Sequence, residues 1–366
     1  MVALVHYYGG GVSGQVIPNP YPGGLLPRVY VSPPPRLNLH SLLNRNVPSI
    51  AANYKAIYNA RPPSPLLPPP EINKAEANRI LGREAGQNGS QTELLAPLPD
   101  CPPIPPHLVG PTRAEVSGGD WGNYTEEALE LENPEVEEGG RWRPKDCHPA
   151  HKVAIIVPYR DRPHHLNLLL AHLHPLLQRQ LIDYRIIVIE QYGNLTFNKA
   201  RIMNIAFLWA LHQEPNLHCF IFHDVDLIPE NDRNMYSCPQ QPRHMSVAID
   251  EMNYQVPYEE LVGGVFAIRT EHFFKVNGYS NLYWGWGAED DDMAYRLQHV
   301  GLRISRPPAQ VARYKMIRHK KRPAVDGRIR YRLLWTGVRR YKIDGLNSLP
   351  SLNYHILSVN AKPLEQ

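Results

Sequence analysis

Three short apolar runs, evenly spaced and each followed by polar residues, constrain this chain more than any other feature. Val153-Ala-Ile-Ile-Val157 is continuous, β-branched and stopped by Pro158. Tyr184-Arg-Ile-Ile-Val-Ile189 and His218-Cys-Phe-Ile-Phe222 repeat the pattern. A strand that is apolar at nearly every position is buried on both faces. Between the first two runs, leucines from Leu166 to Leu177 recur at helical spacing. Between the second and third, Asn198 to Leu211 places Ile202, Ile205, Ala206 and Trp209 on one helical face. Alternating strands and helices predict an α/β fold whose central sheet is mostly parallel, with right-handed crossovers. Ligands of such sheets lie at the carboxyl ends of the strands, so the chemistry is sought there.

Proline divides the chain. Of its 37 prolines, 20 fall within residues 1–110, including Pro33-Pro34-Pro35 and Pro68-Pro69-Pro70. Such runs give no ladder hydrogen bonds and favour extended conformations. Residues 1–98 therefore read as a Pro-rich stem or linker, largely disordered, with at most a short helix near Glu71–Leu81. A single globular domain is expected over 99–366, and the 43% hydrophobic content is ample for its core. A net charge of only +4 argues against a dedicated nucleic-acid binder. No apolar run reaches the roughly 18 residues that a membrane-spanning helix needs. Four cysteines and three sequons, at Asn88, Asn123 and Asn194, point outside the cytosol. Cys101, Cys147, Cys219 and Cys238 allow three pairings and include no CxxC pair. Four buried thiols in a cytosolic enzyme is the competing reading.

Four constellations carry chemistry. Asp224-Val-Asp226 follows the third strand directly. Residues two apart on an extended chain point the same way, so both carboxylates can face one divalent cation and the diphosphate that it binds. Met316 and His319, three apart, are predicted on one side of a helical turn, followed by Lys320, Lys321 and Arg322. Tyr283-Trp-Gly-Trp-Gly-Ala-Glu-Asp-Asp-Asp292 places two tryptophans between glycines ahead of four carboxylates. Indole faces stack on sugar rings, glycines let a loop swing, and a carboxylate can serve as base toward a sugar hydroxyl. The stretch Arg313–Lys342 holds 12 Lys and Arg in 30 residues, interleaved with Tyr314, Tyr331, Trp335 and Tyr341. It fits a mobile lid that neutralises a departing diphosphate, a solvated basic face, or a single-strand nucleic-acid surface.

Taken in order, these motifs resemble those of the β-1,4-galactosyltransferase family over about residues 99–363. The series is Val157-Pro-Tyr-Arg-Asp-Arg162, Phe197-Asn-Lys-Ala200, Asp224-Val-Asp226, Gly263-Gly-Val265, Trp284-Gly-Trp-Gly287 with Glu289-Asp-Asp-Asp292, Met316-Ile-Arg-His319 and Asp344-Gly-Leu-Asn-Ser-Leu349. The resemblance implies a nucleotide-sugar-binding fold of the GT-A type and an inverting, UDP-sugar-dependent transferase of the Golgi lumen. It implies disulfides 101–147 and 219–238. Pro158, Arg160, Arg162, Phe197, Lys199 and Val225 would hold the uridine diphosphate, with Asp224 at the donor's ribose or sugar. Asp226, Met316 and His319 would bind Mn²⁺, and Trp286 would be the tryptophan that swings over the donor. Asp290 would be the base toward the acceptor O4, and Glu289 and Asp291 would fix the acceptor sugar. Tyr258 joins the acceptor site, and Arg330, Tyr331 and Leu334 would line an N-acetyl pocket.

One position bears on the donor. Leu261 stands before Gly263-Gly264 where galactose-transferring members typically carry a tyrosine and GalNAc-transferring members an aliphatic residue. A smaller aliphatic side chain leaves room for an acetamido group at C2. The resemblance therefore implies transfer of GalNAc, with Gal still usable, from the UDP-sugar to O4 of a terminal GlcNAc. The alternatives are a strict UDP-galactose enzyme and a non-catalytic carbohydrate-binding relative; nucleic acid is not an expected partner. Departures from the family pattern are Ala288 in place of glycine and Lys199 in place of arginine, which loses bidentate capacity. The N-terminal membrane anchor and the final strand of the family are expected to be missing from this chain.

Overall fold

The computed structural model describes residues 98–112, 124–137, 139–191, 193–319 and 326–349, with backbone strands at 3–5 and 354–358. The helix expected near residues 71–81 and most of the stem lie outside the described residues. The three apolar runs become β3 (Lys152–Tyr159), β4 (Asp183–Gln191) and β5 (Cys219–His223). They form the centre of an eight-stranded sheet, with β3 parallel to both neighbours: Ile155 lies opposite Ile186 on one side and Ile221 on the other. Around them lie β1 (Ala3–Val5), β2 (Arg141–Trp142), β7 (Arg243–His244), β9 (Val265–Arg269) and β11 (Tyr354–Ser358). The order is β1-β11-β4-β3-β5-β9-β7, with β2 also on β4. Five strands (β1, β3, β4, β5 and β7) run one way, and β2, β9 and β11 the other. The parallel core is thus flanked by antiparallel pairings that the apolar runs did not announce. Ala3–Val5, which falls inside the expected stem, pairs as an edge strand on β11.

The β3 run is apolar throughout because alternate residues serve two cores. Val153, Ile155 and Val157 join one cluster, covered by α2 (Pro163–Arg179) through Leu166, Leu169, Leu170, Leu173 and Leu177. Ala154 and Ile156 join the other, covered by α3 (Lys199–Gln213) through Ile202, Ile205 and Ala206. Pro158 does not end β3, which runs on to Tyr159. Pairing with β5 stops at Ile156, so the proline sits where the strand has one neighbour rather than two. Asn198 caps α3 by accepting from the Arg201 amide at 2.9 Å, which fixes where that helix begins.

A second, three-stranded sheet holds the metal-type motifs. β6 (Leu227–Pro229) pairs with β10 (Arg313–Met316), which also pairs with β8 (Ala248–Ile249). Met316 therefore ends a strand and His319 follows in an extended loop, which corrects the helical turn expected for the pair. The cause is long-range pairing: Met316 lies opposite Leu227, and three residues are too few to nucleate a helix against that ladder. Both disulfides form as the resemblance implied. Cys101 joins Cys147, and Cys219 joins Cys238.

The acidic run begins α5 (Glu289–His299), where four carboxylates in the first turn meet the positive end of the helix dipole. Asp292 turns inward. Its carboxylate accepts from Arg296 Nε at 2.6 Å and from the Tyr283 hydroxyl at 3.2 Å. Arg296 is fully buried and also donates to the carbonyls of Gly278 and Asp344, at 3.1 and 2.8 Å. Asp344 in turn accepts from the Ser280 hydroxyl and the Asn281 amide. This network ties α5 to the Asp344-Gly-Leu-Asn-Ser-Leu349 motif, for which the sequence suggested no role. Without this buried cation Asp292 loses its ion-pair partner among the described residues, and Asp344 keeps only Arg340, at 3.6 Å. Arg296→Met is therefore expected to cost about 3–5 kcal/mol in denaturant unfolding, with α5 displaced.

Candidate active site

Four elements meet at the carboxyl end of β5. The strand ends at His223, and the Asp224 amide donates to the Gly264 carbonyl at 3.0 Å. This sets Asp224 at the mouth of the cleft and turns Asp226 toward β10. His223 is buried, and burial pushes its pKa down to about 4, so it is neutral. Its Nδ1 donates to the Asp224 carbonyl at 2.9 Å and its Nε2 accepts from the Tyr236 hydroxyl at 3.0 Å. Tyr236 is hydrogen-bonded to Tyr314 of β10 at 3.0 Å. A buried polar chain thus fixes the turn that carries both aspartates against the strand that carries Met316. Motif reading missed His223 and Tyr236 and took Tyr314 for an aromatic of the basic stretch, because nothing local marks a buried tyrosine pair.

Two groups of site residues form. In the first, Asp226 Oδ2 lies 2.6 Å from His319 Nε2 and 3.0 Å from Arg162 Nη1. Arg162 also reaches His319 Nδ1 at 3.0 Å. Burial raises the cost of charge on Asp226, yet His319 and Arg162 hold its pKa below the usual carboxylate value. The Ile317 amide donates to the Asp226 carbonyl at 2.8 Å, so the residue after Met316 is bound to Asp226 itself. A carboxylate and an imidazole converging on one point, with a thioether-bearing residue on the adjoining strand, is a donor set that can hold a divalent ion such as Mn²⁺. Nearby, Arg160 donates to the carbonyls of Gln191 and Leu195, at 3.0 and 2.8 Å, and its guanidinium lies 5.3 Å from the centre of the Phe197 ring. Pro158 and Val225 are buried behind this surface.

In the second group, the Lys199 ammonium lies 2.7 Å from Asp224 and 3.6 Å from Glu289. Burial works against this charge, but Asp224, Glu289 and Asp290 together hold its pKa above the ordinary lysine value. One pocket is lined by Lys199, Asp224, Gly263, Tyr279, Glu289 and Asp290. Gly263 is required there: a Cβ on it would lie 2.2 Å from Asp290 Oδ2. The same Cβ would lie 3.5 Å from Leu261 Cδ1, so Leu261, itself buried, packs beside the glycine that Asp290 covers. Burial, then the charges of Glu289 and Asp291, push the Asp290 pKa up to about 7, against the pull of Lys199. A carboxylate poised there is suited to accept a proton from a hydroxyl. Tyr258 donates to Asp291 at 2.7 Å, which joins the two acceptor candidates.

The tryptophan loop sits above. Trp284 packs on Arg201, 4.6 Å from its guanidinium carbon to the ring centre, and Gly285 donates to the Phe197 carbonyl at 2.7 Å. Trp286 is 61% exposed, and the guanidinium carbon of Arg330 lies 5.8 Å from its ring centre. Arg330 lies on α6 (Gly327–Arg340), which packs on α5 where the Gly337 Cα approaches Asp292. Leu334 is half-buried on that helix, whereas Tyr331 is 74% exposed. Among the described residues no helix is long and apolar enough to cross a membrane.

An aspartate pair at a strand end, an imidazole against one of them, and a carboxylate with a raised pKa beside an aromatic loop are groups that a glycosyltransferase can use. Residues 101–239 match the N-terminal region of glycosyl transferase group 7, and residues 243–320 match a galactosyltransferase domain. The chain is 46% identical over 273 residues to β-1,4-galactosyltransferase 3 of Rattus norvegicus, covering 74% of this chain and 67% of the relative. It is 42% identical over 314 residues to β-1,4-galactosyltransferase 1 of Mus musculus, covering 83% of this chain and 77% of the relative. The catalytic domain of Drosophila β1,4-galactosyltransferase 7 in complex with xylobiose superposes with a TM-score of 0.47 at 31% identity, covering 54% of this chain and 84% of that one. The chain belongs to the β-1,4-galactosyltransferase family.

Ala288, which departs from the family glycine, adopts a left-handed conformation (φ 76°) as the residue that caps α5. A side chain there is strained by roughly 1 kcal/mol. Ala288→Gly is expected to raise thermal stability by up to about that amount, after the extra unfolded-state entropy of glycine, in a calorimetric melt.

Proposed function

We propose that this chain is a Mn²⁺-dependent, inverting β-1,4-glycosyltransferase that moves GalNAc, and less readily Gal, from its UDP-sugar to O4 of a terminal GlcNAc. The observation that carries the reading is Asp290, half-buried beside Glu289, with a pKa near about 7 and facing the same pocket as Asp224 and Lys199. Asp226, Met316 and His319 would hold the metal, which supplies positive charge toward the leaving diphosphate. Arg160, Arg162 and Phe197, backed by Pro158 and Val225, form the nucleotide side. Lys199 and Asp224 face the donor sugar, and Trp286 covers it. Asp290 accepts the proton of the acceptor O4 as that oxygen bonds to the donor C1. The bond from C1 to the diphosphate oxygen breaks on the opposite face, so an α-linked donor becomes a β-linked product. Glu289, Asp291 and Tyr258 orient the acceptor ring, with Arg330, Tyr331 and Leu334 against its N-acetyl group. The Golgi lumen is the compartment of this reading, supported by the two disulfides.

Leu261 supports the GalNAc preference through its side chain, which packs beside Gly263, a residue that lines the pocket. The relatives named above are galactosyltransferases, which favours UDP-Gal as the second reading. A transfer assay with GlcNAc acceptor and each UDP-sugar, with and without Mn²⁺, separates the two. Leu261→Tyr is expected to shift the kcat/KM ratio toward UDP-Gal by about tenfold or more, the scale set by roughly 1–3 kcal/mol for filling or freeing a small volume in a pocket. An unchanged ratio would remove Leu261 from the donor site.

Asp290→Asn is expected to abolish transfer while UDP binding, measured by calorimetry, is retained. The wild-type kcat/KM should fall as pH drops through about 7, because only the ionised carboxylate accepts a proton. A profile flat from pH 5 to 8, or near-normal turnover in the variant, would show that Asp290 is not the base.

A further inference from the structure

We infer that Asn194 is an N-glycosylation site and that its sugar chain stands on the nucleotide-side rim of the active-site cleft. Of the three sequons, Asn194-Leu-Thr196 is the one that falls among the described residues, in the loop between β4 and α3. All four residues from Gly193 to Thr196 are exposed. A Cβ placed on Gly193 would meet no atom within 4 Å, so open space adjoins the acceptor asparagine. Leu195, inside the sequon, leaves 58% of its surface in water, an apolar face that a first sugar ring can shield. The two disulfides belong to an oxidising compartment, where lipid-linked oligosaccharides are the glycan donors.

The loop is exposed at its tip and held at its base. Arg160 Nη1 donates to the Leu195 carbonyl at 2.8 Å, and Gln191 Nε2 donates to the Thr196 carbonyl at 2.9 Å. Gln191 Oε1 accepts from the Asn198 amide at 2.7 Å, immediately before Lys199. The backbone is thus turned inward, toward the residues of the donor side, and the Asn194 side chain is left on the solvent side. A glycan at Asn194 has a fixed stem and is accommodated without disturbing Arg160 or Phe197. In the modification the Asn194 side-chain nitrogen bonds to C1 of the oligosaccharide. The bond from C1 to the polyisoprenyl diphosphate breaks, the diphosphate carries away the electron pair, and one amide proton is released.

The test uses the full chain, delivered to the secretory pathway of cultured eukaryotic cells behind an appended signal segment, so that it does not depend on the Golgi reading. Release of N-glycans by amidase in heavy-oxygen water, followed by peptide mapping, should convert Asn194 to labelled aspartate. Asn194→Gln and Thr196→Ala should each lose the same single step of amidase-sensitive mass, whereas Thr196→Ser, which keeps the hydroxyl, should retain it at least in part. An unlabelled Asn194 in secreted, disulfide-bonded protein would overturn the site. So would an Asn194→Gln variant that lost no mass step.

Discussion

The active site rests on one ammonium group placed among three carboxylates. Asp224 comes from the turn after β5 and the neighbours Glu289 and Asp290 from the start of α5, and without a cation between them their mutual repulsion would spread the pocket open. Lys199 supplies that charge from the first turn of α3, at 2.7 Å from Asp224 and 3.6 Å from Glu289. Its place depends on the Asn198 cap, which itself donates to the Asn281 carbonyl ahead of the tryptophan loop. One helix start therefore binds Asp224, the start of α5 and the segment that leads to Trp286. A lysine does this as a compact point charge, where the family arginine offers a planar fork. The substitution keeps the neutralisation and gives up a second directed hydrogen bond.

The buried groups behind the site divide their work by distance from the substrate. Arg296 is fully enclosed with Asp292 and Asp344, and it serves to place α5. His223 with Tyr236 and Tyr314 sets β10 against the aspartate turn, so Asp226 of the turn keeps its place beside Met316 and the loop that follows it. Asp290, by contrast, sits over Gly263 with only the Asp291 amide donating to it among the described contacts. The last two residues of the acidic run thus have different fates: Asp291 faces Tyr258 at the surface, and Asp292 turns into the core. A run of like charges at a helix start is tolerated because the helix dipole and two cations, Lys199 and Arg296, receive it from opposite sides.

Much of this was legible in the residues. The three apolar runs placed the parallel core because their hydrophobicity is local and continuous, and the motif series placed Asp224, Asp226, Phe197, Lys199 and Asp290 in one cleft. What was hidden is long-range. The antiparallel flanks come from short strands such as Arg243–His244, too brief to carry a period. The strand character of Met316 comes from pairing with Leu227, 89 positions earlier in the numbering (316 less 227). Spacing alone suggested a helical turn there, and the ladder overrode it. Tyr236 and Tyr279 were passed over, and Tyr314 was read only as an aromatic of the basic stretch; the structure shows Tyr236 and Tyr314 sharing a buried hydrogen bond and Tyr279 lining a pocket.

Keeping the base ready has a thermodynamic consequence that follows from its sign. The Asp290 pKa is raised in the folded chain, to about 7 from the ordinary 3.8. Between those values the folded state binds more protons at this site than the unfolded chain, so its contribution to stability falls as pH rises through that window. At neutral pH the fold therefore carries a destabilising, partly ionised carboxylate. Asp226 shifts the other way: its pKa is held down by His319 and Arg162, so that contribution is present above the ordinary carboxylate range and is lost on acidification. The two aspartates pull in opposite directions because each environment suits its task. In the proposed reaction one would stay charged to hold a cation, and the other would take up and release a proton.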